Sequence, residues 1–160
     1  MNQLILGMIL SVLPISELRG GLPLAVNYAL ENNVPILPVF LLILISNIIV
    51  IFLIFFFLDF LHESFMKLPP YRKTFDFFLR RIRKRAEKIE KKMSIYGFLA
   101  LTFFVAIPLP VTGAWTGCLI AWVLGLDRKK SIGAIGLGVV IAGAIVLLGS
   151  LGVISLFRFL

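Results

Sequence analysis

The residues of this chain best equipped for chemistry are Glu17 and Arg19, two apart in the run Ser16-Glu17-Leu18-Arg19-Gly20-Gly21 and flanked by apolar sequence. At bilayer depth an ionisable side chain costs at least about 2.5 to 3.5 kcal/mol, so such residues mark a pathway or a partnered site. Two readings stand side by side. In one, Glu17 and Arg19 are a buried ion pair that holds the fold together. In the other, Arg19 offers a permanent cation whose planar fork suits phosphate or carboxylate. Glu17 is then the candidate proton carrier, raised in pKa by burial and lowered by its cationic neighbour.

A second set of residues repeats the first. Leu13-Pro14-Ile15-Ser16, then Gly21 and Leu24-Ala25, returns as Leu109-Pro110-Val111-Thr112, then Gly117 and Ile120-Ala121, at constant offset across a thirteen-residue window. Where the first copy has Glu17 and Arg19, the second has Gly113 and Trp115, so one half supplies charge and the other backbone room and an aromatic face. Ser16 and Thr112 are aligned hydroxyls, expected to cap a helix after each Leu-Pro break. Two helix amino termini would then direct partial positive charge at one point. The candidate substrate-binding residues are Arg19, Ser16, Gly20, Gly21, Thr112, Gly113 and Trp115, with Glu17 for proton coupling.

The elements that must carry these residues follow from composition and length. The chain has 160 residues, 60% hydrophobic and 15% charged, too little polar surface to enclose a water-soluble core. An all-α integral membrane protein in a single membrane domain, residues 1–160, is expected. Residues 34–58 and 131–157 are uninterrupted apolar stretches, and about 20 helical residues suffice to span a bilayer. Residues 1–30 and 93–126 are too long for one span and too short for two. Pro14, Pro23 and Gly20-Gly21 interrupt the first, and Pro108, Pro110 and Gly113 the second. A chain reversal near Pro14 and near Pro110 turns each into a re-entrant hairpin. Its arms of about 13 residues reach roughly 20 Å, past the midplane but not across. Irregular backbone at that depth must be buried in protein or line a wet cavity. The amino terminus lacks basic residues ahead of its apolar stretch and is read as retained structure, not a signal peptide.

Charge placement sets the orientation. The net charge is +8, concentrated in residues 67–92 and in Arg128-Lys129-Lys130, and the positive-inside rule puts both clusters in the cytoplasm. They share a side only if 93–126 is a hairpin. The cation-free Glu31-Asn32-Asn33 turn then lies outside. The first repeat, 1–66, and the second, 93–160, acquire opposite orientations, the inverted repeat that alternating-access transporters use.

Other segments have simpler expectations. Phe75, Phe78, Leu79, Ile82, Ala86, Ile89 and Met93 recur at helical spacing among arginines and lysines, an amphipathic basic helix. It is read either as attached to anionic headgroups or as a topological anchor with a solvated face; topology accounts for the charge without nucleic acid. Ala134, Gly138 and Ala142 form a small-residue stripe that packs on the partner half or makes a dimer seam. Ser46-Asn47 is either interhelical glue or cavity lining. Asp59, His62 and Glu63 are expected to pair with the basic segment. Cys118 is the only cysteine, so no intrachain disulfide or thiolate zinc cluster is possible. No metal-ligand cluster, nucleophile–base arrangement or phosphate-binding glycine loop is present, so neither an enzyme nor a cofactor is expected.

Ser16-Glu17-Leu18-Arg19-Gly20-Gly21-Leu22-Pro23-Leu24-Ala25, paired with Ala106-Ile107-Pro108-Leu109-Pro110-Val111-Thr112-Gly113-Ala114-Trp115-Thr116-Gly117, closely resembles the two signatures of the small multi-drug export proteins. The resemblance covers essentially the whole chain. That family is distantly similar to the DedA/VTT superfamily, which includes eukaryotic lipid scramblases. This implies two re-entrant hairpins, proton-motive dependence and translocation of polyprenyl phosphate or phospholipid. The chain departs from the DedA pattern in having no arginine in its second hairpin. The resulting expectation is a multi-pass plasma-membrane transporter, a homodimer, flipping an anionic amphiphile such as a polyprenyl phosphate lipid carrier. The alternatives are an exporter of cationic or amphipathic drugs and a non-transporting membrane scaffold.

Overall fold

A computed structural model of the chain describes residues 3–65, 95–109 and 112–159. Every regular element among the described residues is an α-helix: α1 Gln3–Val12, α2 Glu17–Glu31, α3 Ile36–Phe65, α4 Ile95–Ala106, α5 Ala114–Val123 and α6 Arg128–Phe159. The basic segment 67–92 lies outside the described residues.

The helices fall into two classes by length. The apolar parts of α3, Ile36–Leu61, and α6, Arg128–Ile154, are long enough to cross a membrane. The helices α1, α4 and α5 have 10 to 12 residues, about 15 to 18 Å. The chain reverses over residues 13–16, at Pro14, and again between α4 and α5, where Gly117 comes back against Val105. Pro23 does not break α2, although it was counted with Pro14 as an interruption. It lies inside the helix, where the missing donor costs one hydrogen bond, and neighbouring helices hold the rest of the turn in place.

The arms α1 and α2 run antiparallel, because Gly7 meets Ala25 while Ser11 meets Gly21. Contact is backbone to backbone. A Cβ on Gly7 would stand 2.8 Å from the Gly21 carbonyl oxygen, and one on Gly21 would overlap Gly7 and Ser11. Gly21 is therefore a packing residue of the first hairpin, not part of a binding surface, and Gly20 faces its own turn at Ser16. In the second half Gly117 instead faces side chains, those of Val105 on α4 and Ile135 on α6. The small stripe of α6 is also consumed internally: Gly138 lies against Thr102 and Val105, and the Thr102 hydroxyl reaches the carbonyl of Ala134 at 3.2 Å. Gly143, one turn on, meets Phe40 and Leu44 of α3 and Leu18 of α2.

The centre of this packing is Leu22, Val26, Ile43, Ile51, Cys118 and Ile135, all fully buried. Outward faces are equally apolar. Phe52, Phe56, Phe57 and Phe60 on α3, and Leu137, Ile145 and Leu148 on α6, are exposed, far more apolar surface than a water-soluble monomer presents.

At one end of the bundle, the last turns of α3 meet the start of α6. Asp59 takes both carboxylate oxygens to Arg128, at 2.7 and 2.9 Å, and accepts a further bond from the Trp122 indole at 2.9 Å. The Arg128 guanidinium also lies over the Phe55 ring, 4.5 Å from its centroid. Asp59 thus pairs with the second basic cluster; the expected pairing with residues 67–92 lies outside the described residues. The side chains of His62 and Glu63 lie outside the described residues.

Candidate functional site

The two chain reversals meet. At a helix end the last carbonyls lack intrahelical donors, so a chain reversal packed into the protein needs partners from elsewhere. Each hairpin supplies them to the other. Arg19, on α2, donates to the Ile107 carbonyl just past α4 at 3.2 Å and to the Thr112 hydroxyl at 3.0 Å. Trp115, on α5, donates through its indole N–H to the Val12 carbonyl at the end of α1, at 3.0 Å.

Glu17 crosses the same junction in the opposite chemical sense. Its carboxylate accepts from the Trp115 amide at 3.1 Å and lies within reach of the Ala114 amide. An acidic group from the first hairpin therefore caps α5, where dipole and free amides favour negative charge. Gly113 is buried directly under it, and any Cβ there would overlap the Glu17 carboxylate. Glu17 holds this position with a positive φ of 47°, uncommon for a residue with a side chain. No ion pair joins Glu17 to Arg19; each engages the opposite hairpin.

The expected hydroxyl caps are not formed. Ser16 precedes α2 with helical dihedrals, φ −95° and ψ −38°, whereas an N-cap hydroxyl reaches forward from an extended conformation. Its hydroxyl turns back to the carbonyl of Leu10. Thr112 stands one residue too early, since α5 starts after Gly113, and its hydroxyl reaches the carbonyls of Ile107 at 2.8 Å and Leu109 at 3.0 Å. Both hydroxyls tie off the end of the preceding arm. No side chain caps α2.

Ser16, Glu17, Arg19, Thr112, Gly113 and Trp115 are thus brought to one junction between α2 and α5, while Gly21 is turned away into the first hairpin. The sequence did not show the carbonyls of Leu10, Val12 and Ile107, since every residue has one and only the chain path exposes these three. Ser46 and Asn47 are spent on their own helix, donating to Leu42 at 2.8 Å and Ile43 at 3.0 Å. No group of three or more His, Cys, Asp or Glu able to hold a metal ion occurs among the described residues.

The second arm of the first hairpin, the whole second hairpin and the junction residues from Glu17 onward fall within residues 17–145, which match the family model described as "Putative small multi-drug export protein". The chain belongs to this family. Comparison with curated proteins and with solved structures gives no match. Membership in a small multi-drug export family and two apolar helices of spanning length agree on a membrane protein.

Proposed function

We propose that this protein is a membrane exporter built from two inverted helical hairpins, with the Glu17–Gly113 junction as its transport site. The observation that carries the proposal is the reciprocal set of contacts. Arg19 and Trp115 are counterparts in the sequence repeat, and each donates across the junction to a carbonyl at the end of the other hairpin's first arm. Glu17 and Gly113 are also counterparts, and they meet. A pseudo-two-fold axis would account for this pattern: counterpart residues reach targets that lie one position apart in the repeat register, Val12 corresponding to Pro108 beside Ile107, and a residue on the axis meets its own counterpart. The Asp59–Arg128 contact supports the topology, since the chain leaves α3 and enters α6 at the same end. The second hairpin then returns to the side it came from, with residues 67–92 and Arg128–Lys130 cytoplasmic and Asn32 outside.

The substrate is an amphiphile entering from the lipid. Arg19 is half-buried and spends one guanidinium nitrogen on the protein, leaving its other N–H groups to a phosphate or carboxylate headgroup. Glu17 carries the coupling proton. The second reading, export of cationic amphipathic drugs, is favoured by the family's description, and in that case Glu17 provides the attraction.

Proteoliposomes loaded with one anionic and one cationic amphipathic fluorophore separate the two. Arg19→Ala is expected to abolish efflux of the anion and Arg19→Lys to retain part of it, because a point charge keeps attraction but loses the fork. Loss of cation efflux in Glu17→Gln with anion efflux intact would establish the drug-export reading. Wild-type protein that moves neither class above empty vesicles would leave a scaffold.

A further inference from the structure

Positions 17 and 113 are sequence counterparts held in different backbone conformations. Glu17 has φ 47° and its carboxylate caps α5; Gly113 is extended, at φ 175° and ψ −162°, and α2 has no side-chain cap. In an inverted repeat, exchanging the conformations of the two halves turns an assembly open to one side into one open to the other. Resting on the export reading above, we propose that Glu17 is a one-sided latch, and that the other access state is reached when positions 17 and 113 exchange backbone conformations and the carboxylate leaves α5.

Each residue suits its part. A positive φ is costly for Glu17 and free for Gly113, so the backbone favours the exchanged state while the carboxylate's bond from the Trp115 amide favours this one. Opposed preferences of similar size are what a two-state element needs if a bound substrate is to tip it. A single carboxylate suffices, because Gly113 has no side chain to latch α2 in return. A side chain at 113 would disturb both states: it would collide with Glu17 in this one and meet a positive φ in the other.

The test moves the latch across the axis. A single cysteine replaces the exposed Leu109 in a Cys118→Ser background, and a membrane-impermeant maleimide is applied from each side of oriented proteoliposomes. The exchange variant Glu17→Gly with Gly113→Glu is expected to invert the ratio of inside to outside labelling rates by five-fold or more. It should also shift slow amide hydrogen exchange from residues 114–117 to residues 18–21. Glu17→Ala, latched in neither state, should label from both sides. If the exchange variant does not fold, Glu17→Ala and Glu17→Gln decide alone. Labelling from the wild-type side only, in a folded Glu17→Ala protein, would overturn the latch. Labelling needs no substrate, so inverted sidedness without efflux of either fluorophore removes the export reading, and efflux with unchanged sidedness removes the latch.

Discussion

Glu17 is the residue on which the two halves most depend, and its worth to the fold is measurable apart from transport. Loss of a helix-capping side chain costs about 0.5 to 2 kcal/mol. Glu17→Ala is expected to lower the melting temperature of the detergent-solubilised protein, whereas Glu17→Gln, whose amide oxygen still accepts from the Trp115 amide, should lose less than half as much. Equal losses would mean that charge, not the hydrogen bond, holds α5. The sequence made the set of polar residues legible, because Glu17, Arg19 and Trp115 stand out against apolar neighbours. It did not reveal their pairing. Glu17 and Arg19, two residues apart, invited an ion pair, but each engages the other hairpin, because the carbonyl and amide ends left by two chain reversals are nearer and cannot go unsatisfied. The hydroxyl caps failed for a related reason: Ser16 and Thr112 lie closer to the carbonyls of the arm they follow than to the amides of the helix they precede.

At the level of elements, glycine marks where helices touch, but only some of the glycines do so. Gly138→Ala would bring a Cβ within 2.7 Å of the Val105 Cβ and 2.8 Å of the Thr102 carbonyl oxygen. Neither neighbour has a flexible end to move, so a loss of about 1 to 3 kcal/mol is expected, as in other overpacked contacts. Gly136→Ala, on the same helix, meets open space and should be neutral or gain a few tenths of a kcal/mol from helix propensity. Chemical denaturation of the two variants checks the pair; similar losses would mean that α6 packs elsewhere. Helix boundaries were legible at Pro14 and Asp127, where proline or charge interrupts an apolar run, but not at Asp59, which α3 passes on its way to Phe65. Pro23 misled, because a single missing donor is tolerated inside a helix that its neighbours hold. The partner of the Ala134–Gly138–Ala142 stripe was not legible, since small residues every fourth position permit close contact without naming what makes it.

At the scale of the whole molecule, the Asp59–Arg128 clasp joins the end of α3 to the start of α6, and Trp122 adds the second hairpin to it. Both charged side chains are nearly half exposed, so the ion pair contributes at most about 1 kcal/mol; its interest is positional. Single cysteines at Lys129 and at Asn32, in a Cys118→Ser background, are expected to label from opposite sides of the membrane, Lys129 from the cytoplasm. Labelling of both from one side would break the inverted arrangement. The sequence bears on orientation only through the distribution of cations, because apolar helices read alike in both directions.

The unequal lengths of the helices bear on the bilayer itself. The 26-residue, mostly apolar stretch Ile36–Leu61 of α3 extends about 39 Å, against a hydrocarbon thickness of roughly 30 Å. In a bilayer this mismatch is absorbed by tilting α3, by thickening the surrounding lipid, or by letting the end that carries Asp59 project into water. In the arrangement proposed above, tilt would also set how deeply the shorter helices α1, α2, α4 and α5 are immersed, since they pack on α3 and α6. Lipid chain length therefore becomes a control on the junction without touching it. Reconstitution into phosphatidylcholines of increasing acyl length should reveal an optimum in thermal stability on the thick side of the usual range, and a flat profile would show that α3 projects into water.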